Sequence, residues 1–277
     1  MFALLLALQV ATERRESSQG DDRRALEAFE AAAVPAARDV GTGIVLGIRP
    51  DITDFRQGRI TAAVFRNDMV ARASQFERGA AAFRGAPRPR RLEVATAEFD
   101  RSFVLYRLAV VALYEAGGVE GPAREELVSL GADLGNRGDA LYDQAGARVQ
   151  RARLDLGLGP SPEWPEQAAA APVSERSTAA RIDLAQTCVV GGSAQRLDVH
   201  QAPAGALVVY ATHYADGSSA LSRGHAGGLG HGRADLDARF GIEWRVPADV
   251  PPGSTAVVAA VAGVVVSASF TAGATCP

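Results

Sequence analysis

Lysine is absent from the chain, and all 29 basic side chains are arginines. A Schiff-base amine and a lysine-bearing phosphate loop are therefore excluded. Histidine is scarce and late, at His200, His213, His225 and His231. Everything upstream of them lacks the imidazole that a ferritin-like metal core takes from its helices. Neither sign of charge is in marked excess: the formal net charge is -3, so no global field draws nucleic acid or an acidic membrane face. Long apolar runs are missing at the start of the chain too. Phe2 to Val10 falls short of the roughly 20 residues that span a bilayer, and it has neither the basic flank nor the Ala-x-Ala site of a signal peptide. Residues 1–20 then read either as the remnant of a signal or anchor helix that begins upstream or as the first turns of a helix. The series Leu4, Leu5, Leu6, Leu8 favours the former and leaves room for membrane association through the N-terminus.

Cysteine is limited to Cys188 and Cys276, which lie at the two ends of the C-terminal third. That placement reads as a staple, worth roughly 4 kcal/mol in the chain-entropy picture and persistent in oxidising compartments. The alternative is two thiols in a cytosolic protein.

What the chain does have is a hydrophobic content of 47% over 277 residues, enough for one large domain or two ordinary ones. Over residues 21–157 apolar side chains recur at helical spacing in four runs. The first, from Asp21 or Asp22 as N-cap, carries Leu26, Phe29, Val34, Val40 and Ile48, kinks at Pro35 and closes at Pro50. The second carries Phe55, Val64, Met69, Phe76 and Phe83 up to Pro87. The third runs from Leu92 to Ala116, and the fourth opens at Gly121-Pro122 and holds Leu127, Leu134, Leu141 and Val149 on one face. Four amphipathic helices with short breaks predict an antiparallel bundle.

Residues 158–181, rich in Pro and Ala, read as a semi-stiff linker that holds two domains apart, with Trp164 folding back onto the helices. From residue 182 to 277 the period becomes two and valine dominates. Strands are predicted at about 195–200, 206–214, 240–246, 255–262 and 264–271, with those at 206–214 and 255–262 central because their alternation is imperfect.

The turns and core positions Tyr214-Ala215-Asp216-Gly217-Ser218, Gly232-Arg233-Ala234-Asp235, Phe240-Gly241-Ile242-Glu243-Trp244 and Pro252-Gly253 resemble those of bacterial immunoglobulin-like domains of extracellular proteins. The resemblance covers only the C-terminal third, and it implies a β-sandwich and an extracellular setting. The antibody arrangement of a Trp between two strand cysteines is not met, since Cys188 and Cys276 sit at the domain ends. The helical part, with Gly138-Asp139-Ala140-Leu141-Tyr142-Asp143 and Leu158-Gly159-Pro160-Ser161-Pro162, is similar to actinobacterial cell-envelope proteins with no activity attached. The fold class expected is thus multidomain α and β: an N-terminal antiparallel helical bundle of about four helices, then an immunoglobulin-like β-sandwich.

Chemistry is sparse. His225, His231, Asp235 and Asp237 share a Gly-rich stretch from which a metal site can be drawn, but their spacing fits no closed zinc pattern. Ser222 near His225 and Asp235 lacks any nucleophile elbow. Arg88, Arg90 and Arg91 read as a solvated loop, and Arg137-Gly138-Asp139 as a chance tripeptide within a helix. The expectation is a non-enzymatic extracytoplasmic envelope protein, secreted or membrane-anchored, in which a helical spacer displays a sandwich that binds a protein or a cell-surface glycan. No cofactor, metal or nucleic-acid partner is expected, and homo-oligomers through the helices remain open. The competing reading is a helical hydrolase or metal-dependent enzyme with an accessory sandwich, which would require a polar pocket among the helices.

Overall fold

Large apolar residues three and four apart give one stripe per helix, and alternation gives one face per strand; the chain uses the first pattern and then the second. The structure, a computed structural model, describes residues 2–41, 47–164, 179–273 and 275–276, with side chains from residue 19 onward. Among these are five α-helices: α1 (Phe2–Val40), α2 (Ile48–Arg56), α3 (Ala62–Gly85), α4 (Glu93–Ala116) and α5 (Pro122–Asp155). Eight strands follow: β1 (Arg181–Leu184), β2 (Cys188–Val190), β3 (Ala194–His200), β4 (Leu207–His213), β5 (Leu229–Arg233), β6 (Arg239–Arg245), β7 (Gly253–Val261) and β8 (Val264–Gly273). They form a three-stranded sheet, β1-β3-β6, and a five-stranded one, β2-β8-β7-β4-β5. Every pairing is antiparallel except that of β2 with β8.

Three helix boundaries differ from the sequence reading. Asp21 and Asp22 are not caps but lie inside α1, where Asp22 accepts from Arg91 Nε at 2.6 Å. The apolar leader assigned to residues 1–20 concerns side chains that, apart from the last two, lie outside those described. The second run is two helices. Gly58, at φ 69°, ends the first, and Thr61 starts the next by accepting the Val64 amide at 3.3 Å. Pro50 closes nothing; it sits in the first turn of α2, where a missing N–H is harmless. Among the described residues no helix is long and apolar enough to cross a membrane.

The five strands expected are present, and three more were missed. β5 reads as loop because Leu-Gly-His-Gly-Arg has little strand propensity. Its glycines are there because aromatic rings lie over them: a Cβ on Gly230 would stand 2.9 Å from the Tyr210 hydroxyl, and one on Gly232 would stand 2.2 Å from the Phe240 ring.

The halves are not held apart. β4 and β7 are apolar on both faces. Val208, Tyr210, Val257, Ala259 and Val261 share a buried cluster with Leu197, Val199 and Trp244 of the other sheet. Val209, Ala211, Val258 and Ala260 belong instead to the core of the helices. Fully burying one such valine is worth about 1.5–3 kcal/mol, so a face of this kind does not stay in water. α4 covers it, contacting β4, β5 and β7.

Residues 165–178, most of the expected linker, lie outside the described residues. Trp164 just before them does fold back, 3% exposed. Its ring stacks on Phe29 at 6.5 Å between centroids, and its Nε1 donates to Glu30 at 2.9 Å. Glu30 also pairs with Arg153, and Arg153 Nε donates to the Gly159 carbonyl at 3.0 Å. The chain leaving α5 is thereby stitched to α1. At the far end a disulfide joins Cys188 to Cys276, with Cα atoms 5.7 Å apart, tying β2 to the segment that follows β8.

The close seam between α4 and α5 depends on glycine. A Cβ on Gly138 would stand 2.7 Å from the buried Tyr106 ring, whereas one on Gly135 would meet nothing within 4 Å. Gly138→Ala should destabilise the protein by about 1–2 kcal/mol through overpacking. Gly135→Ala should stabilise it by about 0.5–1 kcal/mol through helix propensity. Urea denaturation of the two variants beside the parent reads both signs.

Candidate functional site

α2 lies across the seam of α4 and α5 and leaves a groove of about 320 Å³ between them. Ile48 and Ile52, one turn apart on α2, form one wall with Arg49 and Thr53 beside them. Ala109 and Leu113 of α4 and Gly131, Ala132 and Gly135 of α5 form the rest of the apolar surface. Tyr106, Asn136 and Asp139 close one end. The Tyr106 hydroxyl, buried under α5, donates to Asp139 Oδ1 at 2.7 Å, and Arg49 Nη2 donates to Oδ2 at 3.2 Å. Burial first, then the Asp139 charge, pushes the Tyr106 hydroxyl far above the ordinary phenol range; it stays protonated and holds Asp139 in place. The result is an apolar trough with a fixed carboxylate among its lining residues, at the small limit of the roughly 300–1,000 Å³ usual for ligand pockets.

A second cluster sits where α3 and α4 meet β4. Glu77, Arg107, His213 and Ser219 line a small cavity of about 10 Å³ with Phe76 and Leu221, about the least space that holds one water. Glu77 accepts the Ser219 amide at 3.1 Å. Nε and Nη2 of Arg107 and both ring nitrogens of His213 have no hydrogen-bond partner among the described residues. Burial, then the nearby Arg107 and Arg84 charges, holds the His213 imidazolium well below its usual range. Burial and then Arg84 bring Arg107 down to about 10, against the pull of Glu77 and Asp100. Burial raises Glu77 in spite of Ser219, Ser222 and Arg107.

The residues singled out by sequence go to separate places. His225 faces Tyr214, whose hydroxyl is 3.1 Å from Nδ1, and its Nε2 is 3.3 Å from Asp249. His231 points the other way, Nδ1 lying 2.6 Å from Glu115 of α4. Asp235 shapes a turn by accepting the amides of Asp237 and Arg239, both at 2.9 Å, and Asp237 is exposed. Among the described residues no three of His, Cys, Asp and Glu gather where they could hold a metal ion. Ser222 is engaged with Ser219, accepting its amide at 3.0 Å and donating to its carbonyl at 3.2 Å. Arg88 is neutralised by Asp100 through two bonds of 2.9 and 3.2 Å. Cys188 and Cys276 alone meet as expected. Sequence reasoning missed Arg49, Asn136, Asp139 and the His213 cluster. The available signals were four glycines in one helix, which cost about 1 kcal/mol each, and a histidine closing a largely apolar strand.

No protein-family model matches the chain, and no curated protein does. Among solved structures it is similar to Spo0M, a sporulation control protein from Bacillus subtilis, at 15% identity and a TM-score of 0.21, over 35% of this chain and 49% of that one. The chain thus spans about half the length of that protein, and a likeness of this degree carries no argument about fold or activity.

The His213 cluster predicts a pH dependence. Its folded pKa lies below the ordinary value of roughly 6.5, so its full contribution is present above that pH. It is lost as pH falls and the unfolded chain takes up a proton that the fold refuses. The loss should approach about 1.4 kcal/mol per pH unit. Glu77, raised by burial, acts in the opposite sense above roughly pH 4.5, so the comparison needed is with His213→Leu. Between pH 7 and pH 5 the stability difference between parent and variant should shift against the parent; parallel curves would show that His213 is solvated.

Proposed function

We propose that this chain is a non-enzymatic, extracytoplasmic protein of a bacterial cell envelope. In it an immunoglobulin-like β-sandwich supports an antiparallel helical bundle, and the bundle provides the binding face. The Cys188–Cys276 disulfide carries this reading, because such bonds persist in oxidising compartments and are rare in the cytosol. The sandwich is supported by the buried cluster shared between the two sheets, together with the turn pattern that resembles immunoglobulin-like domains. The bundle is supported by the short connections between α3, α4 and α5 and by their common core.

In this reading the helices take a binding role in place of the spacer role expected from sequence, a choice supported by their cover of the inner strands of the five-stranded sheet and by the groove they line. The side chains with most chemical capacity are already committed to structure. Ser219 and Ser222 bond each other, His225 leans on Tyr214 and Asp249, and His231 joins β5 to α4.

Fractionation of the native cells, with intact mass measured before and after reduction, tests the proposal. The protein should appear outside the cytoplasm and gain the mass of two hydrogens on reduction. A cytosolic protein with both thiols free would overturn it.

A further inference from the structure

Gly131, Gly135 and Gly138 fall within about two turns of α5, each at a cost to the helix of about 1 kcal/mol relative to alanine. Packing explains two of them: a Cβ on Gly131 would stand 2.8 Å from Leu113, and one on Gly138 would stand 2.7 Å from Tyr106. Gly135 has no such neighbour. A Cβ there meets nothing within 4 Å, and the residue borders the open groove. No contact within the fold requires glycine at that position; what glycine preserves is empty space.

The polar end of the groove is built independently of that space. Asp139 is fixed through one oxygen by Tyr106 at 2.7 Å. Its other oxygen meets Arg49 at 3.2 Å, and the Arg49 side chain is 68% exposed, anchored by little else. One turn further along α5, beside the groove and not lining it, Asp143 is a half-buried carboxylate near Asp139 that has no ion-pair partner among the described residues. Two carboxylates against one exposed guanidinium leave this end short of positive charge.

We propose that the groove binds a small organic cation, a primary amine with a short hydrocarbon body. Its ammonium takes the place of Arg49 on Asp139, and its hydrocarbon lies against Ile48, Ile52 and Leu113, past Gly135. The inference rests on the reading of the chain as a binding protein, but not on its compartment. An ammonium brings three donors to a carboxylate that is already oriented, and the apolar trough supplies what a hydrated arginine head does not, namely burial of hydrocarbon.

The test uses the purified full chain, titrated by calorimetry with hexylamine, hexanol and hexanoate. Hexylamine should bind at least tenfold more tightly than the other two. Asp139→Asn, which keeps an acceptor for Tyr106, should reduce hexylamine to the level of hexanol. Gly135→Leu should abolish binding while the melting temperature stays level or rises, which separates a filled groove from a damaged fold. Hexanoate binding as well as hexylamine, unchanged affinity in Gly135→Leu, or no heat with millimolar hexylamine would each overturn the proposal. A cytosolic location together with hexylamine binding would sink the envelope reading and leave this one standing.

Discussion

From Ser102 to Ala116 helix α4 is buried on nearly every side, and the need to cover that stretch organises the molecule. A helix of this kind cannot lie on a surface. It meets α3 and α5 on one side and β4, β5 and β7 on the other, so the helical and strand halves are joined by the element that each needs to bury. Its few polar side chains are each given a specific partner where they reach the boundary. Glu98 takes Arg148 at 2.8 and 3.0 Å, and Glu115 takes His231. Arg107 is the exception. It lies in the seam over the Phe76 ring, 5.7 Å from its centroid, and keeps two nitrogens without a partner among the described residues.

Much of this was legible in the residues. The stripe through Leu26 and Phe29, the opening of α5 at Gly121-Pro122, the inward turn of Trp164 and the five expected strands all follow from local spacing. So did the central place of β4 and β7, whose broken alternation reports burial on both faces. What their sequences cannot tell is which partner lies on the second face. A period-two pattern says that a surface is covered and nothing about what covers it, which is why two separate cores looked adequate. β5 was illegible for a different reason: its glycines answer to Tyr210 on β4 and to Phe240 on β6 of the other sheet, a demand that only the fold sets.

The candidate site was less legible than the fold. The histidines and aspartates that attract attention in the sequence sit in one loop region, yet sheet pairing sends His225 and His231 in different directions. Arg49, Tyr106 and Asp139 come from three helices and meet only because α2 crosses the seam of the other two. The two imperfections in packing also differ in kind. The groove is open, bordered by a glycine, and carries a carboxylate oriented by a buried tyrosine. The cavity at His213 is only about 10 Å³ and is lined by polar atoms without partners among the described residues, so it bears on stability.

The disulfide has a mechanical corollary. Cys188 lies at the start of the strand region and Cys276 beyond its last strand, so tension pulling on the extreme C-terminus passes through sulfur directly to β2. Strands β3 to β8 form a closed covalent loop outside the line of force. A protein tethered at that end would load its helices and β1 while most of its sheets stayed unloaded.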